Sequence, residues 1–264
     1  MIRRAFGKTY IGLVILFLYA PIFVLVTLSF NASKSRATWG GFTMKWYSSL
    51  FSSTQVMKAF TTTCLLAVTS AAIACVIALL ASVGIYTMRK RNYQIMMFFT
   101  NIPLLNADIV TGIALMLWLV RIIPLGFMSL LCAHITFNIP YAILCILPKL
   151  ESMDVRQFEA ARDLGATRRY AFTKIVIPDL MPGILSGFFM AVTMSMDDFV
   201  ITYFTKGAGV NTLSTLIYGE IKKGIKPEMY ALSSVLFLVV LIILVIINIM
   251  SRSSDKEGLE GVIL

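Results

Sequence analysis

Three aspartates, Asp108, Asp197 and Asp198, stand inside stretches that are otherwise apolar and long enough to cross a bilayer. A charged carboxylate at the centre of a spanning helix costs about 2.5 to 3.5 kcal/mol on insertion scales, so each of these needs water, a partner or a ligand. No lysine or arginine within the same stretches is placed to neutralise them, and Arg121 stands only at the outer end of its run. Unpaired carboxylates at that depth attract cations, because a passenger's ammonium group supplies the missing countercharge. His134, in another apolar run, is either a hydrogen-bonded packing residue or a further polar group on the same path. Trp118 and Tyr203 offer ring faces that an ammonium can approach, although rings at helix ends also anchor in the headgroup layer. The competing roles are helix-to-helix hydrogen bonding for Asp197 and Asp198, and capping of a half-helix for Asp108.

The elements that must position these groups are membrane helices. Six apolar runs, about residues 10–30, 64–88, 95–120, 127–147, 183–204 and 229–250, reach the length of about 20 residues that a bilayer core of about 30 Å requires. Hydrophobic residues make up 58% of the 264 and charged residues only 14%, and the mean hydropathy is +0.85. The expectation is an all-α integral membrane protein with a single transmembrane domain over residues 1–264 and no internal repeat. At about 1.5 Å per residue, Asp108 and Asp197 both fall about 20 Å above the inner interface, with His134 near the same level. Asp197 and Asp198 point about 100° apart on a helix, so one faces the path and the other a neighbouring helix. Asn106, close to Pro103, marks a local break in the third run, a device common in transporter site helices.

Most of the 23 basic residues fall on one set of alternating segments, with the cluster Arg89, Lys90 and Arg91 foremost, which places both termini in the cytoplasm. The first run is longer than a cleaved signal's core and reads as a retained helix. A net charge of +10 spread over helix ends and loops fits anionic membrane lipids and not nucleic acid. Cys64, Cys75, Cys132 and Cys145 lie within apolar runs, with no metal-ligand spacing, and read as packing residues. Gly183-x-x-x-Gly187 and Ser70-x-x-x-Ala74 mark close helix contacts. The loop from Asn31 to Lys58 is rich in aromatic residues and lies along the outer interface.

The one long polar island is residues 149–182. Asp154 caps a short helix whose apolar face carries Val155, Phe158 and Ala161. Gly165 ends it in a left-handed bend, and Thr167 caps a second helix that runs to Pro178. Glu159-Ala160-Ala161, three residues, Gly165, nine residues, then Ile175-Val176-Ile177-Pro178 resembles the cytoplasmic docking loop of permease subunits from bacterial ABC importers, with Ile177 in place of the usual leucine. That resemblance implies a type I importer permease fold in the bacterial inner membrane. It also implies that Glu159, Ala160, Ala161, Gly165, Ile175 and Pro178 couple this chain to an ATPase subunit. The chain itself has no phosphate-cradling G-x-x-x-x-G-K-S/T, no H-E-x-x-H and no G-x-S-x-G, so it is not an enzyme and ATP with its magnesium belongs to the partner.

Ser195-Met196-Asp197-Asp198-Phe199, with Asp108-Ile109-Val110, Gly41-Phe42-Thr43, Lys45-Trp46-Tyr47 and Ala133-His134-Ile135-Thr136-Phe137, is similar to the PotC-type permeases of spermidine/putrescine importers. This second resemblance implies polyamine import by alternating access. It also implies a heterodimer with a PotB-like second permease, two copies of a PotA-like ATPase, and a PotD-like extracytoplasmic binding protein. The alternatives are a permease of the same fold for ferric iron, thiamine or a sugar, and an ATP-independent cation channel or carrier.

Overall fold

A computed structural model describes residues 2–35, 37–224 and 226–260, with side chains from Tyr10 to Ile246 apart from Arg36 and Ile225. The elements are helical: α1 Ile2–Ser29, α2 Lys45–Ser52, α3 Thr54–Tyr86, α4 Lys90–Leu105, α5 Asp108–Leu119, α6 Phe127–Glu151, α7 Val155–Asp163, α8 Arg168–Ala171, a π-helical turn Phe172–Val176, α9 Ile177–Asp197, α10 Val200–Thr205, α11 Leu213–Lys223 and α12 Pro227–Glu260. Among the described residues, five uninterrupted helical segments are long and apolar enough to cross a membrane: Tyr10–Ser29, Thr54–Tyr86, Phe127–Glu151, Arg168–Asp197 and Pro227–Ile246. A sixth span is obtained only if α4 and α5 are taken together, and they bend by 105° at Asn106 and Ala107.

That bend corrects the depth of Asp108. A straight third helix would raise it by a fixed rise per residue, but Pro103 cannot donate a backbone hydrogen bond, and α4 gives way three residues later to extended backbone at Asn106. The fifth run is also broken. Backbone at Asp198 is extended, so α9 stops at Asp197 and a separate helix, α10, begins at Val200. The angle of about 100° expected between Asp197 and Asp198 therefore does not apply.

Two compact units divide the chain, one formed by residues up to Ala59 with Leu216–Val239, the other by Phe60–Thr215 with the residues from Val240. In the first unit the loop after α1 is tied down by Asn31. Its Oδ1 accepts from the backbone N–H groups of Ser33 (3.0 Å) and Gly40 (2.8 Å), its Nδ2 donates to Thr38 O (2.9 Å), and its carbonyl accepts from Trp46 Nε1 at 2.8 Å. Trp46 is buried on α2 and does not lie free along the loop.

The second unit is held by small residues that bring helix backbones together, which is how helices associate where lipid offers no hydrophobic drive. Ala67, Ser70, Ala71, Ala74 and Ala78 form a fully buried stripe on α3. Between α6 and α9 the glycine pair does the same: a Cβ at Gly183 would stand 2.9 Å from Lys149 Cβ, and one at Gly187 3.3 Å from the Ala142 backbone. Between α5 and α10, a Cβ at Gly112 would stand 3.2 Å from the Phe204 ring and 3.4 Å from Ile201 Cα. Cys75 packs with Ala78, Ile85, Ile143 and Ile146, and all four cysteines are free thiols.

Candidate functional site

The two helix breaks meet. Asp108 opens α5, Asp197 closes α9 and Asp198 bridges α9 to α10, and all three line one cavity of about 230 Å³. Phe137 and Tyr141 of α6, Met194 of α9, Phe199, and Val200 and Ile201 of α10 complete it. The lining has three carboxylates, three aromatic rings and no lysine or arginine. It lies below the roughly 300 Å³ at which ordinary small-molecule pockets begin, so it has room for an ammonium with its adjoining methylenes, not for a bulky ligand.

Each carboxylate is held differently. Asp198 faces back along α10: Oδ1 accepts from Ile201 N at 3.2 Å, and Oδ2 accepts from Thr202 N at 2.7 Å and Thr202 Oγ1 at 2.8 Å. It thus satisfies the first free N–H groups of the helix it precedes. Asp108 makes no side-chain cap of α5, and both it and Asp197 are exposed. Carboxylates on the wall of a cavity with no basic side chain attract a cation. Among the described residues no group of histidines, cysteines or acids is spaced to hold a metal ion.

His134 does not line the cavity but stands behind it, fully buried, with Nε2 3.6 Å from Asp198 Oδ2. Trp118 is 61% exposed and Tyr203 45% exposed, and neither is among the cavity's lining residues. Tyr203 instead sets its ring 5.5 Å from that of Phe199. Residue-by-residue reading missed Phe137 and Tyr141, although their signal was present: with His134 they recur at steps of three and four along α6, which puts them on one face. Their rings form an edge-on series, His134 to Phe137 at 5.1 Å and Phe137 to Tyr141 at 6.5 Å.

The residues expected to couple the chain to an ATPase lie on the second feature of this unit. Asp154 Oδ1 accepts from Arg156 N at 3.0 Å at the start of α7. At its end, Gly165 takes φ +88° while Gly165 N bonds Arg162 O (3.0 Å) and Ala166 N bonds Ala161 O (3.0 Å). This is the paired closure in which a residue without Cβ favours the left-handed position. Leu164 projects from the bend at 90% exposure, beside a cleft lined by Ala161, Gly165, Thr167 and Tyr170. Glu159 and Ala160 are exposed on α7. Ile175 lies in the π-helical turn and Pro178 just after it. Pro178 lacks the N–H that would bond Lys174 O, and the helix absorbs this by widening, with Ile177 N reaching Phe172 O. From Arg168 to Asp197 the helix nonetheless runs on as one 30-residue element, so one rod leads from just after the Gly165 bend to the acidic cavity.

Membrane-length helices broken at an acidic cavity, one of them leading back to an exposed bend, are the architecture of a membrane permease. The chain belongs to the family of binding-protein-dependent transport system inner membrane components, whose pattern matches residues 74–257. It is accordingly a multi-pass inner-membrane permease, a non-catalytic subunit of an ABC importer that works with an ATPase and a binding protein. It is 35% identical over 257 residues to the spermidine/putrescine transport system permease protein PotC of Escherichia coli (strain K12), covering 97% of each chain. To the putrescine transport system permease protein PotI of the same organism it is 32% identical over 254 residues, 93% of this chain and 90% of that one. A chain from the crystal structure of a bacterial ABC transporter involved in the import of the acidic polysaccharide alginate has the same fold, with TM-score 0.72 and 18% identity over 96% of this chain and 95% of that one.

Proposed function

We propose that this chain is a membrane subunit of a spermidine/putrescine importer, and that Asp108, Asp197 and Asp198 form the cation-recognising part of its path. The observation that carries this reading is the single cavity with three carboxylates and no basic side chain. The same fold occurs in a transporter of an acidic polysaccharide, so the fold does not choose the passenger and the site must. An acidic wall with aromatic rings repels an anion and suits the protonated amines and short methylene stretches of a polyamine. PotC and PotI, named for spermidine and putrescine transport, support the same substrate class.

The working complex pairs this chain with a second permease, PotB-like, two copies of a PotA-like ATPase and a PotD-like binding protein outside the membrane. The bend at Gly165 faces the cytoplasm, as do both termini. Glu159, Ala160, Ala161 and the exposed Leu164 meet a cleft on the ATPase, and Ile175 and Pro178 pass its motion to α9. Force along the rod then moves the α9 to α10 break relative to α5, so that the acidic cavity opens alternately to either side.

The test is uptake of radiolabelled spermidine and putrescine into proteoliposomes containing the complete complex, with and without ATP. ATP-dependent uptake of both amines, with none of an anionic or neutral sugar, supports the proposal. Amine flux that persists without ATP favours an ion channel or carrier, and uptake of another solute class overturns the polyamine reading.

A further inference from the structure

His134 is the single histidine of the chain and is bonded through both ring nitrogens, with Nε2 2.9 Å from Thr202 Oγ1 and Nδ1 2.6 Å from Ser195 Oγ. The direction of each bond follows from hydrogen counting. Thr202 Oγ1 gives its one hydrogen to Asp198 Oδ2 at 2.8 Å, so it can only accept from His134, and Nε2 must be the protonated nitrogen. That hydrogen is committed to Thr202, so none is left for Asp198 Oδ2, 3.6 Å away. In the neutral ring that this leaves, fully buried and with a hydroxyl at each nitrogen, the bare Nδ1 takes the hydrogen of Ser195.

The same counting continues outward. With Ser195's hydrogen used, Ser70 Oγ at 3.3 Å donates to Ser195, sharing its hydrogen with Ala67 O, also at 3.3 Å. Asn138 Nδ2 donates to Ser70 at 3.3 Å, and its Oδ1 is buried without a hydrogen-bond partner. Hydrogens therefore run one way, from Asn138 through Ser70, Ser195, His134 and Thr202 to the Asp198 carboxylate. His134 grips both sides of the break in the fifth span, Ser195 on α9 and Thr202 on α10.

We infer that His134 is the positioning residue for Asp198: as an Nε2-protonated imidazole it holds the Thr202 hydroxyl as a donor to Oδ2, leaving Oδ1 as the oxygen that receives the passenger. Oδ2 already accepts two bonds shorter than 2.9 Å, whereas Oδ1 accepts only Ile201 N at 3.2 Å. The inference rests on the proposed polyamine path for the identity of what Oδ1 meets.

Two experiments decide it. In the first, the full chain, free of added histidines and labelled with nitrogen-15 histidine, is placed in lipid nanodiscs, where its one histidine gives one pair of ring signals. A protonated Nε2 with a bare Nδ1 is expected, and an imidazolium or the opposite tautomer overturns the inference. In the second, spermidine uptake by the complete complex is compared for wild type, Thr202→Val, Thr202→Ser, His134→Leu and His134→Gln, with Asp198→Asn alongside. Losing the hydroxyl that donates to Oδ2 in Thr202→Val, or the imidazole that holds that hydroxyl as a donor in His134→Leu, is expected to raise the KM for spermidine about tenfold, with little change in maximal rate. Thr202→Ser and His134→Gln, which keep a donor, are expected to return KM close to wild type. Thr202→Val keeps the side chain's shape, so an unchanged KM in that variant means the network only packs helices. If Asp198→Asn itself transports normally, the passenger does not meet Asp198 and the inference fails, whereas the polyamine path fails only if Asp108→Asn and Asp197→Asn transport normally too. If Asp198→Asn abolishes uptake while Thr202→Val leaves KM unchanged, only the positioning role fails.

Discussion

Asp198 differs from its neighbours in the cavity because its carboxylate both caps α10 and lines the cavity, whereas Asp108 and Asp197 have no such structural duty. Asp198→Asn places an amide hydrogen against backbone donors, so it is expected to cost about 1 to 3 kcal/mol of stability as well as uptake. Asp197→Asn should lower uptake with thermal stability close to wild type, and thermal unfolding of the two purified variants separates these outcomes. A titrating group of another kind of consequence, Glu220, lies outside the spans. Glu220 accepts from Lys223 Nζ (2.8 Å) and lies 3.3 Å from Lys226 Nζ, and these bonds hold its carboxyl below the ordinary glutamate range. A depressed folded value stabilises the folded state above the unfolded pKa, and that contribution is lost as pH falls through the folded value. Cooling of the unfolding midpoint on acidification should therefore be smaller in Glu220→Gln than in wild type, by a margin that shrinks in high salt.

Breaks and bends decide what the helices can do. The break before α5 was legible because Pro103 and Asn106 are residues that interrupt helices. The break after α9 was hidden, because no proline or glycine stands near Asp197 and Asp198, and only the capping habit of aspartate pointed to it. Apolar patterning likewise placed the start of the second span at residue 64, while α3 begins at Thr54: polar turns that stack outside an apolar core continue a helix without adding hydropathy. In the segment of α7 and α8 both caps and the bend were legible, since Asp154, Gly165 and Thr167 do their work locally. Gly165→Val would force a β-branched residue to φ +88°, at a cost of about 1 to 3 kcal/mol at the bend. Its expected result is ATP hydrolysis that no longer drives uptake, read by measuring both rates on the same proteoliposomes. Gly112→Leu is expected to lower the unfolding midpoint and uptake together, because it wedges α5 away from Ile201 and Phe204 on α10, with about 1 to 3 kcal/mol lost to overpacking.

Across the molecule, class and family were legible because membrane insertion and docking signatures are written in contiguous residues: long apolar runs, and Glu159 to Pro178 at fixed offsets. What joins Asp108 to Asp197 and Asp198 is tertiary. It depends on the approach of α5 to α10 at Gly112, and on α6 rings that no local pattern tied to the acids. The same division explains why Trp118 and Tyr203 attracted attention by type yet do not line the cavity. The measurement that bears most directly on the acidic path is spermidine uptake by the reconstituted complex carrying Asp108→Asn, Asp197→Asn or Asp198→Asn, with ATP hydrolysis measured in parallel. A path through the cavity predicts that uptake falls by tenfold or more, on the order of one lost charge contact, in at least one variant whose complex assembles and hydrolyses ATP. Normal uptake in all three would contradict it and leave the carboxylates a structural role only.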